Sequence, residues 1–325
     1  MANQKQGTPT SNLNVVCLAG GVGGAKLADG LAQILPPDRL TIVVNTGDDF
    51  QHLGLTICPD LDTVMYTLGG VANPETGWGR EGESWITIGE VERLGGPAWF
   101  NLGDLDLATH LVRAQMLSEG VGLTAATRHL CSLFGIDVAV LPMSNQLAPT
   151  KILSDEEEPL TFQEWFVKER WQPPVREVQL PDDVIASAQV TAALEQADLV
   201  LIAPSNPFVS IEPILNVYPI REMVTDLPLA VVAVSPIVGG TALKGPAAKM
   251  MVEKGMAVSP TAVATYYGDL IDGLVYDVQD KASADDFACS TLVTDTIMGD
   301  REDRKRLAQE TMAFAEDIAR SGSNR

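Results

Sequence analysis

A doubly wound, mostly parallel Rossmann-like α/β sheet is the fold this 325-residue sequence predicts, and three observations predict it. Short apolar, β-branched runs alternate with stretches whose apolar residues recur at helical spacing. A glycine turn joins the first such run to the first helix, and two prolines end that helix before the second run. One stretch, at about 144–182, breaks the alternation and is expected to form a smaller α/β element inserted in the sheet domain.

Residues 1–12 are polar and are expected to be a disordered lead-in, so a single α/β domain is expected from 13 to 325. The run at 13–19 carries VVCLA, a buried-strand pattern. GGVGGAKLADGLAQIL follows as a turn and a helix, which Pro36 and Pro37 stop before the strand LTIVVNT at 40–46. Further strands are expected at 137–143, 199–204, 228–235 and 272–278. Helices are expected at 104–118, 124–134, 184–196, 246–254, 260–267 and 301–319. Between 151 and 180 the acidic SDEEEPL, the aromatic FQEWFVKERW and the pair Pro173–Pro174 mark the insertion.

The 43 acidic residues against 22 basic ones give a net charge of −21, which opposes non-specific attraction to nucleic-acid phosphates and anionic membranes. Small-molecule substrates are the partners this balance favours. The chain has no long uncharged apolar run and its first residues do not resemble a secretory signal, so a cytoplasmic protein is expected. Cys17, Cys58, Cys131 and Cys289 lie far apart in apolar surroundings, as reduced packing residues do. The three histidines are too scattered for a zinc cage or a hydrolase triad.

Four segments carry candidate chemistry. Gly20, Gly21, Gly23 and Gly24 bring backbone close to a helix start, where free N–H groups and the positive dipole end suit a phosphate; the pattern is neither the dinucleotide fingerprint nor the Walker loop, and a tight turn is the plain alternative. NTGDDFQHLGLTICPDLD places Asn45, Asp48, Asp49, Asp60 and Asp62 around the end of a strand, a set of oxygens that suits Mg²⁺, although Asp60 and Asp62 could instead cap and complement the helix they open. In LGDLDLATHLVR, Asp104 is expected to cap its own helix. His110 and Arg113, three apart, could hydrogen-bond a ring and hold a phosphate, or be structurally paired. Ser205–Asn206, and then Ser235 with Lys244, follow two later strands in loops that could cradle a diphosphate or be ordinary connections.

LAGGVGGAKLADGL, VNTGDDFQHLGLTICPDLDTVMYTLGG, GWGREGESW, WFNLGDLDLATHLVRAQML and LIAPSNPFVSI resemble, in this order, the signature segments of the 2-phospho-L-lactate transferases; FQEWFV and SPIVGGTALKG extend the match. The resemblance implies a Mg²⁺-dependent phosphotransferase of coenzyme F-420 biosynthesis. Such an enzyme moves a 2-phospholactate, phosphoenolpyruvate or phosphoglycerate group from a guanosine-diphosphate-linked donor to the ribityl hydroxyl of the deazaflavin Fo, releasing GMP. It further implies Asp49 and Asp62 as metal ligands with Asp48 beside the same phosphates. Gly21, Gly23, Gly24, Ser205, Asn206 and Lys244 would hold the diphosphate, with Trp78 and residues 103–113 near the deazaflavin, in a homodimer. The resemblance leaves the general base unassigned. Asp62→Asn is then expected to end turnover and leave the fold nearly as stable. The competing expectation is a non-catalytic UDP-sugar-binding regulator of cell-envelope growth built on the same fold.

Overall fold

The computed structural model describes residues 12–155, 158–280, 282 and 286–322; the lead-in expected to be disordered lies outside them but for Asn12. Seven parallel strands form the central sheet: β1 (Val15–Ala19), β2 (Leu40–Val44), β3 (Ala139–Pro142), β4 (Leu199–Ile202), β5 (Ala230–Val234), β6 (Gly273–Asp277) and β7 (Ser290–Thr294). In space they run 3-2-1-4-5-6-7, so the strand order reverses between β1 and β4. In open α/β sheets the crevice at the carboxyl ends of such a pair is where ligands bind.

The helices are α1 (Gly21–Ala32), α2 (Pro59–Leu68), α3 (Ile86–Arg93), α4 (Asp104–Ser118), α5 (Leu123–Leu133), α6 (Ala188–Glu195), α7 (Glu212–Asn216), α8 (Ile220–Asp226), α9 (Ala247–Glu253), α10 (Pro260–Tyr267) and α11 (Arg301–Ser321). Alternation along the strands divides them between two faces. Val15, Cys17 and Ala19 of β1 pack with Leu27 and Leu31 of α1, Leu61 of α2, Leu130 of α5 and Leu307 of α11. Val16 and Leu18 point the other way, into a core with Leu194 of α6, Ile214 of α7, Ile220 of α8, Met250 of α9 and Val263 of α10. Both faces are covered, which is why these strands read as continuous apolar runs.

Differences from expectation have local causes. The helix expected from 184 begins at Ala188, because Ile185 bridges Tyr218 and Ser187 caps the helix by accepting from the Val190 amide. Strand β7, whose residues are only half-buried at an edge, was not expected. Nor was the hairpin of Phe50–His52 with Leu55–Ile57, which turns on Leu53 and Gly54 and packs with Trp99, Phe100 and Leu102. Within 144–182 the chain forms a three-stranded antiparallel sheet, Lys151–Leu153, Leu160–Thr161 and Glu177–Gln179, with a helical turn at Glu164–Lys168. Among the described residues no helix is long and apolar enough to cross a membrane.

Candidate active site at the strand-order reversal

The glycine turn leaves β1 at the reversal and enters α1 against the exit of β4. The Gly20 amide donates to Ser205 Oγ at 3.1 Å, and that hydroxyl donates back to the Gly20 carbonyl at 2.7 Å. A Cβ on Gly23 would lie 2.3 Å from the Pro204 carbonyl oxygen, so the first turn of α1 approaches β4 at a distance only glycine permits. No side chain caps α1 at its N-cap, Gly20. The Gly21 amide, in the left-handed region at φ +63°, donates to Asp60 Oδ1 at 2.8 Å.

Asn45 leaves β2 beside that carboxylate. Its amide nitrogen lies 3.0 Å from Asp48 Oδ1, 2.9 Å from Asp60 Oδ2 and 3.2 Å from the Val209 carbonyl. Two hydrogens serve three acceptors, so the carboxylates are under-compensated. Burial pushes the Asp48 carboxyl well above its usual range, reinforced by the charge of Asp60 and opposed by the Asn45 hydrogen bond. Burial also pushes Asp60 up to about 6, against the bonds from Asn45 and Gly21. Asp49 is driven well up by burial and by Asp62 and Asp60, with Cys58 and Arg113 opposing. Its Oδ1 is buried with no hydrogen-bond partner among the described residues.

Asp62 differs. Arg113, fully buried, donates to Asp62 Oδ2 at 3.0 Å and also to Asp62 Oδ1. Arg113 Nη1 further lies 3.2 Å from His110 Nδ1, whose Nε2 is 3.3 Å from Asp106 Oδ1, which in turn accepts from the Tyr66 hydroxyl at 2.6 Å. Single ligand atoms of Asp62, Asp106 and His110 lie within 4.8 Å of one another, as a metal would require. The Arg113 guanidinium already supplies a cation there, so that set is balanced without a metal. Asp48, Asp49 and Asp60 have no guanidinium bonded to them, and the orphaned oxygen of Asp49 and the repulsion between Asp48 and Asp60 fit a divalent cation with oxygen preference, while among the described residues only Asp62, Asp106 and His110 bring three such ligand atoms within 4.8 Å of one another.

Of the residues expected to serve the site, Gly21, Gly23, Gly24, Asn45, Asp48, Asp49 and Ser205 meet at the reversal. Lys244 crosses over α1: its Nζ donates to the Thr76 carbonyl at 2.8 Å, and a Cβ on Gly77 would touch both it and Val22. Trp78, next in the chain, is 46% exposed. Asn206 accepts from the Phe208 amide at 3.0 Å and so caps the turn Pro207–Ile211, while Ser235 Oγ, buried, accepts from the Ile237 amide at 3.1 Å.

Three expectations are corrected. Asp104 does not cap its own helix; it accepts from the Ile86 and Thr87 amides and from Ser84 Oγ, capping α3, while Glu83 accepts from the Leu105 and Asp106 amides and caps α4. Asp60 caps α1 rather than α2. Arg113 and His110 lie 0% and 1% exposed behind Asp62, so the face they share is internal and the guanidinium is spent on a carboxylate. Sequence reasoning counts Asp60 among the clustered aspartates and Asp106 within the segment 103–113 but gives neither a role of its own, and it does not single out Tyr66 or Glu83. Asp60 stood among four clustered aspartates, a usable signal; the other three depend on contacts 20 or more positions away.

Residues 15–313 match the model of the family described as 2-phospho-L-lactate transferase CofD. The chain is 41% identical over 323 residues to a phosphoenolpyruvate transferase of Kitasatospora aureofaciens, covering 96% of this chain and 100% of that one. It is 38% identical over 311 residues to a 2-phospho-L-lactate transferase of Methanosarcina barkeri, covering 94% and 99%. A solved structure from Bacillus halodurans, of a member of the UPF0052 family, superposes with a TM-score of 0.62 at 14% identity, covering 94% of this chain and 100% of that one, a likeness of fold.

Proposed function

The chain belongs to the CofD family of 2-phospho-L-lactate transferases, and on that premise we propose that it transfers a phospho-acid group in coenzyme F-420 biosynthesis. The donor in this proposal is a guanosine-diphosphate-linked acid, the acceptor is the ribityl hydroxyl of the deazaflavin Fo, and GMP leaves. The acid is lactyl, enolpyruvyl or glyceryl; relatives named for the first two are about equally similar to this chain, so overall identity does not choose. The enzyme would act in the cytoplasm as a homodimer.

The observation that carries the proposal is the pairing, at one strand-order reversal, of a glycine-built helix start, whose first amide bonds Asp60, with three under-compensated buried carboxylates. The first turn of α1 and Lys244 would receive the diphosphate. Asp49 would lead the binding of Mg²⁺, with Asp48 and Asp60 beside it. Asp62, as the ligand the resemblance implies, would share its charge with Arg113. A bound Mg²⁺ supplies charge neutralisation for the diphosphate and the departing phosphate. The protein's share is positioning: Ser205 and Asn45 lock the glycine turn and the Asp48 loop to each other's neighbours, so donor and cation would meet rigid groups.

Purified protein with Fo, Mg²⁺ and, in separate tubes, each of the three guanosine-diphosphate-linked acids tests this by mass spectrometry. Product with release of GMP in one tube is expected and names the donor. No product in any tube from folded protein, with tight binding of a UDP-sugar, would overturn it in favour of the regulator.

A further inference from the structure

Helices α2 and α4 meet through polar side chains. The residues that α4 buries are Thr109, His110 and Arg113, while its Leu105, Leu111 and Val112 stay exposed. Asp62 and Tyr66, one turn apart, are the groups of α2 that they meet. Arg113 bonds both oxygens of Asp62, and Asp106, one turn before His110, accepts from the Tyr66 hydroxyl at 2.6 Å. His110 lies between the two carboxylates, its Nδ1 3.6 Å from Asp62 Oδ2 and its Nε2 3.3 Å from Asp106 Oδ1. One oxygen of each aspartate and a ring nitrogen of the histidine fall within 4.8 Å of one another. Acids this close repel strongly in the interior unless a cation stands beside them, and the guanidinium is such a cation.

Arg113 gives both of its terminal nitrogens to Asp62, and its Nε is buried with no hydrogen-bond partner among the described residues. Helical side chains lean toward the N-terminus, so Arg113 extends back along α4 toward His110 and Asp106. Burial alone would raise the Asp106 carboxyl, but contact with His110, the Tyr66 hydroxyl and the Arg113 charge together hold it below its ordinary range. Asp106 is therefore an ionised acid within the field of the guanidinium. Asp62 is also the acid that would serve Mg²⁺ in the proposed function. A carboxylate that gives its charge to a cation leaves less of it to its old partner, and a buried charge without a counter-charge is costly. With Asp106 in place, one charge of each sign remains on α4 when Asp62 turns to Mg²⁺.

We propose that Asp106 is a positioning residue of the cation site, one that keeps Arg113 compensated while Asp62 gives its charge to Mg²⁺. The proposal rests on Asp62 serving Mg²⁺ in the transferase reading and concerns an acid that would not itself touch the cation.

Calorimetric titration of the full metal-free chain with Mg²⁺ alone tests it, beside melting curves without metal. Asp106→Asn should weaken Mg²⁺ about tenfold, the worth of one charge-assisted contact, at unchanged stoichiometry. Asp106→Glu keeps the charge, and Tyr66→Phe removes a hydrogen bond from Asp106 but no charge; both should bind Mg²⁺ within about threefold of the unaltered protein. In an Arg113→Met background no guanidinium needs compensation, so Asp106→Asn should there change the affinity by less than about twofold. Should the Arg113→Met chains not fold, the contrast of Asp106→Asn with Asp106→Glu and Tyr66→Phe decides. A lower Tm for Asp106→Asn with Mg²⁺ affinity kept would make the residue structural and overturn the proposal. A lower stoichiometry would make Asp106 a ligand, and an undiminished loss without Arg113 would mean that it acts on the cation by its own field; either overturns it too. Product formation with an Mg²⁺ affinity indifferent to Asp106 overturns the proposal and leaves the transferase reading standing. The expected Mg²⁺ pattern in a protein that forms no product does the reverse.

Discussion

Two guanidinium nitrogens of Arg113 grip the two carboxylate oxygens of Asp62, in a pair whose side chains are 0% and 5% exposed. Removing one partner of such a pair strands the other charge in the interior, at a cost of about 3–5 kcal/mol. Arg113→Met should therefore lower Tm by about 10 °C, at the few degrees per kcal/mol usual for a chain of this size. Asp62→Asn should lower it as well, by leaving the guanidinium unpaired. This reverses the expectation from sequence that asparagine would be tolerated. Melting curves of both variants check it, and a D62N protein as stable as its parent would show that the ion pair is not formed in solution.

Asp49 is the opposite case, a buried carboxylate with an oxygen that no described residue satisfies. Asp49→Asn removes a charge the fold resists, so the metal-free variant should melt at or slightly above the temperature of the unaltered protein. It should also lose the response to Mg²⁺. A ligand at a hundred times its Kd stabilises by about 2.7 kcal/mol, several degrees in Tm, and that increment should vanish in the variant along with turnover. Retained stabilisation by Mg²⁺ would place the cation elsewhere.

The same cluster sets a pH dependence. Asp60 titrates at about 6 in the fold against an ordinary 3.8, so the folded protein holds that proton more tightly than the unfolded chain. The stability this confers is complete below the ordinary value and is lost as pH rises through about 6; Asp48 and Asp49, shifted the same way, carry the loss further up. Metal-free Tm should fall between about pH 5 and pH 8, and stabilisation by Mg²⁺, which competes with these protons, should grow over the same range. Thermal scans across that range with and without Mg²⁺ are the check, with Asp60→Asn expected to flatten the metal-free curve. A metal-free Tm that rises with pH would contradict the assigned cluster.

Strands buried on both faces are legible because they are almost wholly apolar: β1, β2, β4, β5 and β6 all fall inside the runs that the sequence marks. Strand β7 was not, since its edge position lets Ser290, Thr291 and Thr294 stay partly exposed and the apolar signal dissolves. Within the site, Gly23 and Asp49 were visible because their constraint is local, a helix start and a strand end. The bond of Asp62 to Arg113 spans 51 positions and that of Tyr66 to Asp106 spans 40, so charges that look like free ligands in sequence prove to be internal partners.

Helices α3 and α4 exchange caps, and each should fail when the other's residue is changed. Asp104, held down to about 2 chiefly by its hydrogen bonds from Ser84 and Thr87, closes the start of α3; Glu83 closes the start of α4. Asp104→Ala should speed hydrogen exchange at the Ile86 and Thr87 amides, and Glu83→Ala at the Leu105 and Asp106 amides, without crossing over. Exchange that accelerates only in α4 for Asp104→Ala, or only in α3 for Glu83→Ala, would show that the caps are not swapped.

Lys244 bridges what the proposed function keeps apart. Its ammonium donates to the Thr76 carbonyl, beside Gly77 and the first turn of α1, and among the described residues it hydrogen-bonds to no carboxylate. The link ties the loop carrying Trp78 to the hairpin Ile237–Val238 with Thr241–Ala242. A cation held by one neutral oxygen keeps most of its field for an incoming diphosphate, whereas a deazaflavin offers it no comparable charge. Lys244→Ala should therefore raise KM for the guanosine-diphosphate-linked donor by about tenfold, the loss of one charge-assisted contact, and that for Fo much less. Because the side chain is surface-exposed, Tm should hardly move. Steady-state kinetics with each substrate varied in turn separates the two constants. An equal rise in both would mean that the lysine orders the Trp78 loop, and that its charge is not what the donor meets.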